Sequence, residues 1–200
     1  MYKKQNLTDF KLINEELNSG EFFYKVLNAY PNSEYVLEYL NNFLKNSGCQ
    51  NIYFEQLSLA QAVSLVDRVV ISTSVLKSNF TYFLYVFFHE LAHQYQYRKY
   101  GIDKIYGAYT GEISIEEAAN FMYYLENVAD EFAIRKIRET KKLFDNKIKI
   151  HNNTRKAYSN HKPDDFKPLI NNLIELLKKH NFKDKEEISS IMYNYIKNKI

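Results

Sequence analysis

The chain has little of several residue types, and each shortage limits what the protein can be. Its 200 residues include one cysteine, three prolines, five glycines and no tryptophan. The single cysteine, Cys49, excludes an internal disulfide and a zinc site built from several thiolates. Because glycine and proline interrupt regular structure, their scarcity predicts a compact, helix-rich chain with few long loops.

Long apolar segments are also missing. The run before Glu90 covers about nine residues, whereas a helix that crosses a bilayer needs about 20. Residues 1–12 are polar and charged and lack the apolar centre of a secretory signal. We therefore expect a cytoplasmic protein that does not enter a membrane, with export by another route left open.

Charge is distributed unevenly along the chain. Residues 1–134 hold 10 basic and 16 acidic side chains, whereas residues 135–200 hold 17 and 8. A basic final third suits nucleic acid or an acidic partner. The competing interpretation is a set of solvated faces on lysine-rich helices, and it is favoured because no nucleic-acid-binding motif accompanies the charges. We expect no tight nucleic-acid binding.

The most informative segment is His89-Glu90-Leu91-Ala92-His93. Two histidines four positions apart on a helix leave the same face and can bind one zinc ion, and Glu90 is placed to accept a proton from water. Residues 80–88 are almost entirely apolar, which predicts a helix in the core. Polar side chains there need partners. The alternative to a metal is that the histidines hydrogen-bond to neighbouring groups.

A catalytic zinc ion usually has three protein ligands. No histidine follows His93 until His151, so an acidic side chain of the next predicted helix is the better candidate. Glu126 and Asp130 are four positions apart, beside two small alanines that allow close helix approach. Glu126 would bind zinc, and Asp130 would accept the N–H of a ligating histidine. The alternative is a solvated acidic face paired with groups such as Arg135.

The remaining patterns predict an α+β fold in a single domain, 1–200. Its regions are an N-terminal helical region 1–48, a core 49–142 and a basic C-terminal helical region 143–200. The predicted elements are two or three short helices within 7–47, strands near 52–54, 62–66 and 69–73, a helix from Ser78 or Asn79 to about Tyr100, a loop over 102–113, a long helix from Ser114 to about 142, a loop over 145–163, and helices near 164–180 and 185–198.

The two site motifs carry a family resemblance. His89–His93 followed by Glu126-Asn127-Val128-Ala129-Asp130-Glu131-Phe132-Ala133 resembles the gluzincin metallopeptidases, and is closest to the small ImmA/IrrE-type proteases, whose second motif reads Glu-x-x-Ala-Asn/Asp-x-Phe-Ala. The resemblance covers roughly residues 51–140. It implies a minimal zincin core: a small, mostly antiparallel sheet, a helix with both histidines and a long glutamate helix.

The segment 70–76 resembles the strand that these proteases place at the sheet edge before the active helix. The resemblance implies that Ile71, Ser72 and Thr73 pair with an extended protein or peptide substrate. It also implies a zinc-dependent endopeptidase.

In such an enzyme Glu90 would act as the general base, and an additional donor would stabilise the oxyanion. Tyr109, Tyr123 and His151 are candidates for that donor. Two other functions stay open: a catalytically silent zinc-binding interaction protein, against which the intact Glu90 argues, and a nucleic-acid-associated protein that uses the basic final third.

Overall fold

The fold is α+β, mostly helical with one small sheet. The computed structural model describes residues 19–49, 51–57, 60–65, 68–100, 103–151 and 161–179. Its elements are α1 (Ser19–Ala29), α2 (Glu34–Ser47), β1 (Asn51–Glu55), β2 (Ala62–Ser64), β3 (Arg68–Ser72), a 3-10 helix (Thr73–Lys77), α3 (Phe80–Tyr100), α4 (Asp103–Thr110), α5 (Ile115–Phe144), a second 3-10 helix (Pro163–Phe166) and α6 (Lys167–Lys179).

The sheet has the strand order β1-β3-β2. β1 runs parallel to β3, with Asn51 opposite Arg68, whereas β2 runs antiparallel to β3, with Ala62 opposite Ile71. The prediction of a mostly antiparallel sheet was therefore wrong, because the sheet is mixed. The chain leaves β1, passes to the outer position as β2 and turns back, so β3 inserts between the two earlier strands.

The ends of the two long helices are fixed by side-chain caps. Asn79 accepts a hydrogen bond from the backbone N–H of Tyr82 at 2.9 Å, so it is the N-cap of α3. Ser114 accepts one from the N–H of Glu117 at 3.1 Å and caps α5. Both starts, and the end of α3 at Tyr100, agree with the predictions. These caps set where the site residues fall along each helix.

The first half of α3 lies in the main apolar core, as its composition predicts. Phe83, Phe87 and Phe88 are completely buried. The Phe22 ring of α1 stacks on the Phe54 ring of β1, with centroids 4.4 Å apart, and joins this core. Helix α3 is thus held by packing on several sides, which immobilises the segment that carries the two histidines.

The predicted loop over 102–113 was wrong, because Asp103–Thr110 form helix α4. Ala108 of α4 is buried in a second apolar cluster together with Phe166. This tertiary burial stabilises a short helix whose composition, with Gly107 inside it, disfavours helix in isolation.

The C-terminal part of the described chain is amphipathic helix. Within the predicted span 164–180, helix α6 occupies Lys167–Lys179 and buries Ile170, Leu173, Ile174 and Leu177. Predictions for 7–18, Gly101, 152–160 and 185–198 lie outside the described residues. Among the helices of the described ranges, none has the length and apolarity that crossing a bilayer requires.

Candidate metal centre

Three potential ligand atoms converge between α3 and α5. Nε2 of His89 lies 3.1 Å from Nε2 of His93 and 3.2 Å from Oε2 of Glu126. Nε2 of His93 lies 3.4 Å from the same carboxylate oxygen. Zinc bonds of about 2.0–2.1 Å in tetrahedral geometry place ligand atoms roughly 3.3 Å apart. The three atoms therefore have the spacing of one face of a tetrahedral zinc site, and the residues fit the ion.

The approach of the two helices explains how one glutamate reaches both histidines. Ala129 and Ala133 follow Glu126 on α5, and both are completely buried. A side chain of one carbon on each turn lets the two backbones come close. The burial of both alanines is what the prediction of close helix approach requires.

The second acidic residue of α5 faces the first histidine. Oδ1 of Asp130 lies 3.1 Å from Nδ1 of His89, and Asp130 is fully buried. At this distance the carboxylate forms an ion pair with His89 when the imidazole is protonated. Tyr85 donates its hydroxyl hydrogen to the same carboxylate oxygen. A solvated acidic face paired with Arg135 is excluded by this burial.

The second histidine is held by a residue that sequence reasoning did not select. Oε1 of Gln96 lies 2.7 Å from Nδ1 of His93, and its Nε2 donates to the backbone carbonyl of Leu125 at 2.8 Å. Gln96 is only 5% exposed. The signal that could have found it is an amide side chain one turn after a candidate ligand, on a helix expected to be buried.

Opposite charges attract one another within the group of His89, His93 and Glu126. Burial lowers the pKa of His89, but Asp130 and Glu126 outweigh this effect and raise it to about 10. Burial raises the pKa of Glu126, yet the charge of His93 and the hydrogen bond from His89 bring it below its ordinary value. Two imidazoles and one carboxylate in contact supply nitrogen and oxygen donors and a negative charge, which together suit a divalent cation.

Glu90 lies beside this triad on α3 and is almost buried, with 7% of its surface exposed. Burial raises the pKa of its carboxyl group most strongly, and the charge of Glu126 adds to this, whereas His89 and His93 act in the opposite direction. The net shift is upward. A carboxylate with a raised pKa next to a metal site is suited to accept a proton near neutral pH.

The predicted oxyanion donors make contacts with residues outside the triad. Tyr109 and Tyr123 pack against the second apolar cluster, where the Tyr123 ring lies 6.3 Å from that of Phe166. His151 is exposed, and its backbone N–H bonds to Thr81 at 2.9 Å, two helical turns before His89 on α3.

Tyr97 is a second tyrosine, besides Tyr85, that interacts with residues of the site. It stands one turn after His93 on α3. Burial raises the pKa of Tyr97, and the negative charges of Glu90 and Glu126 raise it further. Its hydroxyl group therefore lies within electrostatic range of both carboxylates.

The prediction that Ile71, Ser72 and Thr73 form a free strand edge is wrong. β3 is the central strand, and Ile71 has Phe54 opposite on one side and Ala62 on the other. Thr73 already belongs to the following 3-10 helix. Because both sides of β3 are paired within the sheet, it cannot receive another chain.

No family model, curated protein or solved structure matches the chain. The donor atoms themselves characterise the site. His89, His93 and Glu126 each offer one ligand atom, and these atoms lie within 4.8 Å of one another. Two imidazole nitrogens and one carboxylate oxygen are a donor set that zinc binds in catalytic sites. The chain therefore carries a candidate metal centre at the contact between α3 and α5.

Proposed function

We propose that this protein is a zinc-dependent endopeptidase. The observation that carries the proposal is the convergence of His89, His93 and Glu126, with Glu90 adjacent to the first of them. A metal site with only a structural role commonly has four protein ligands and needs no neighbouring base. Here three ligands and a nearly buried carboxylate of raised pKa are combined.

The roles of the residues follow from their positions. His89, His93 and Glu126 would hold the zinc ion, which when bound supplies Lewis acidity that activates water and polarises a carbonyl. Glu90 accepts the proton of the attacking water and transfers it to the departing amine. Because Glu90 is buried, its carboxylate exchanges that proton with little competition from bulk solvent.

Peptide bonds are the proposed target because of the motif pair. The first motif, with Glu90 between the histidines, and the second, from Glu126 to Ala133, resemble those of the gluzincin peptidases, most closely the ImmA/IrrE type. The 33-residue step from His93 to Glu126 is somewhat long for that family, and Ile134-Arg135-Lys136-Ile137 differs from its usual Leu-Leu-Met-Pro-like ending. The proposal therefore extends to the protease core, and not to cleavage of a particular repressor.

A peptide library read by mass spectrometry tests the proposal. We expect cleavage by the zinc-loaded protein, loss of cleavage with a chelator and recovery with added zinc. Glu90→Gln should keep its zinc and its fold but cleave at least about 100-fold more slowly, because glutamine cannot accept the proton. Glu126→Gln should lose zinc and cleavage together.

The two variants separate proton transfer from metal binding. If Glu90→Gln cleaves as fast as the wild type, the assigned base is wrong. If the wild type binds zinc and cleaves no peptide of the library, the catalytically silent zinc-binding protein becomes the better description.

A further inference from the structure

Gln96 contacts both helices of the metal centre at once. Its carbonyl oxygen lies 2.7 Å from Nδ1 of His93 on its own helix, and its amide nitrogen lies 2.8 Å from the carbonyl oxygen of Leu125 on α5. Leu125 directly precedes the proposed ligand Glu126. One buried side chain therefore connects the second histidine to the backbone that carries the third ligand.

The carbonyl of Leu125 determines the orientation of the Gln96 side-chain amide. A backbone carbonyl only accepts hydrogen bonds, so the atom facing it must be the NH₂ group. The oxygen of Gln96 must then face His93. Since that oxygen also only accepts, Nδ1 of His93 must carry a hydrogen. A neutral imidazole has one N–H, which leaves the lone pair of Nε2 for a metal ion.

We propose that Gln96 is a positioning residue that sets the tautomer of His93 and orients its Nε2 toward the metal. The proposal rests on the metal centre proposed above and adds a residue that acts on it through His93. The chain of contacts runs from Leu125 through Gln96 to His93 and would keep the imidazole from rotating. A partner of this kind usually changes metal affinity when removed.

The two histidines are held by partners of different chemistry. His89 faces the carboxylate of Asp130, whereas His93 faces the neutral amide of Gln96. A charged acceptor raises the basicity of the ligand it holds more than a neutral acceptor does. The substitution Gln96→Glu replaces the amide by a carboxylate. It keeps an acceptor for His93 but removes the donor to the carbonyl of Leu125.

Gln94 supplies a matched control on the same helix. It is also buried, but its amide nitrogen lies 2.8 Å from Oγ of Ser64 and within hydrogen-bond distance of the backbone carbonyls of Leu65 and Arg68. These contacts tie α3 to the β2–β3 hairpin and involve no proposed ligand. A substitution at Gln94 therefore measures how the loss of a buried glutamine on α3 affects stability and zinc affinity when no proposed ligand is contacted.

The experiment measures zinc affinity of the full-length protein by competition with a chromophoric chelator. Gln96→Leu should bind zinc about 10- to 100-fold more weakly than the wild type. Gln96→Glu should be affected less than Gln96→Leu, because it still accepts from His93. Gln94→Leu should bind zinc within about twofold of the wild type, although it lowers the midpoint of thermal unfolding.

A second measurement reads the tautomer directly. In the zinc-loaded protein labelled with ¹⁵N at histidine, we expect a protonated Nδ1 and a ligated Nε2 for His93. In Gln96→Leu the Nδ1 hydrogen should exchange with water faster than in the wild type. This readout needs no substrate, so it is independent of peptidase activity.

The outcomes distinguish this inference from the metal site itself. If the wild type binds no zinc, the metal centre is wrong and the role of Gln96 with it. If Gln96→Leu binds zinc as tightly as the wild type, only the role of Gln96 is overturned. The same holds if Gln94→Leu loses as much zinc affinity as Gln96→Leu. If Gln96→Leu does not fold, two other results would overturn the role of Gln96. One is a wild-type His93 that binds zinc through Nδ1. The other is a Gln96→Glu variant that binds zinc as tightly as Gln94→Leu while its His93 Nδ1 hydrogen exchanges freely with water.

Discussion

Tyr85 donates its hydroxyl hydrogen to the carboxylate of Asp130, so a side chain one turn before His89 holds the group that faces His89. The three residues form a buried chain that ends at the proposed metal position. The Asp130 carboxylate accepts a hydrogen bond from Tyr85 and balances the charge of the His89 imidazole when that is protonated. The orientation of His89 therefore depends on two residues that do not themselves reach the metal.

The first prediction concerns Asp130. Asp130→Asn should weaken zinc binding by about 10- to 100-fold without changing the number of ions bound, because the imidazole loses its charged partner. Tyr85→Phe should have a smaller effect, since the carboxylate remains. The measurement is zinc competition with a chelator. Glu131→Gln, an exposed neighbour on α5, is the control, and an equal loss in that variant would contradict the assignment.

The second prediction concerns stoichiometry. Protein purified without added metal should contain about one zinc per chain. The double variant His89→Ala/His93→Ala should contain almost none, because two of three ligands are removed. Elemental analysis of both proteins decides this. A double variant that keeps the full zinc content would show that the ion binds elsewhere.

The third prediction concerns the contact between the helices. Ala129 is completely buried and lies one turn after Glu126 on α5, so Ala129→Leu should destabilise the fold by roughly 1–3 kcal/mol through overpacking. It should also weaken zinc binding, since Glu126 moves away from the histidines. Urea unfolding and chelator competition measure the two effects. Val128 on the same helix is 38% exposed. Val128→Leu adds one carbon there and should change neither stability nor zinc affinity.

The fourth prediction concerns the basic final third, residues 135–200. In its described part, α6 buries one face, and Lys178 and Lys179 in its last turn are exposed. We expect dissociation constants for DNA and RNA weaker than about 1 µM at physiological salt, the range of non-specific attraction. Fluorescence anisotropy with labelled oligonucleotides measures this. Submicromolar binding that charge reversal in this region abolishes would show a dedicated nucleic-acid surface.

The site residues were predictable because each depends on local spacing. Helical periodicity alone places His89 and His93 on one face of their helix, and Glu126 and Asp130 on one face of theirs. The small Ala129 indicates where the second helix can come close. The caps at Asn79 and Ser114 are likewise local hydrogen-bonding patterns. These parts of the structure need no knowledge of what packs where.

Other features depend on distant contacts and could not be read from spacing. Strand patterns give no direction of pairing, so the parallel arrangement of β1 and β3 was missed. Helix α4 exists because Ala108 packs against residues of later elements. Gln96 reaches the backbone of Leu125, 29 positions away, and only the packed helices show that contact.

The insertion of β3 between the earlier strands has a consequence for the order of folding. β2 and β3 follow one another in the chain and pair antiparallel, and the backbone N–H of Leu65 donates to the carbonyl of Arg68 at 2.8 Å. Hairpins of this kind close in about 1–10 µs. In the described sheet β1 pairs with β3, which lies farther along the chain than β2, and Glu126 must be brought across 33 residues to reach His93. Closing longer loops costs more entropy, so we expect the proposed ligand set to be completed after the hairpin, and a metal ion to bind a chain that is already partly folded.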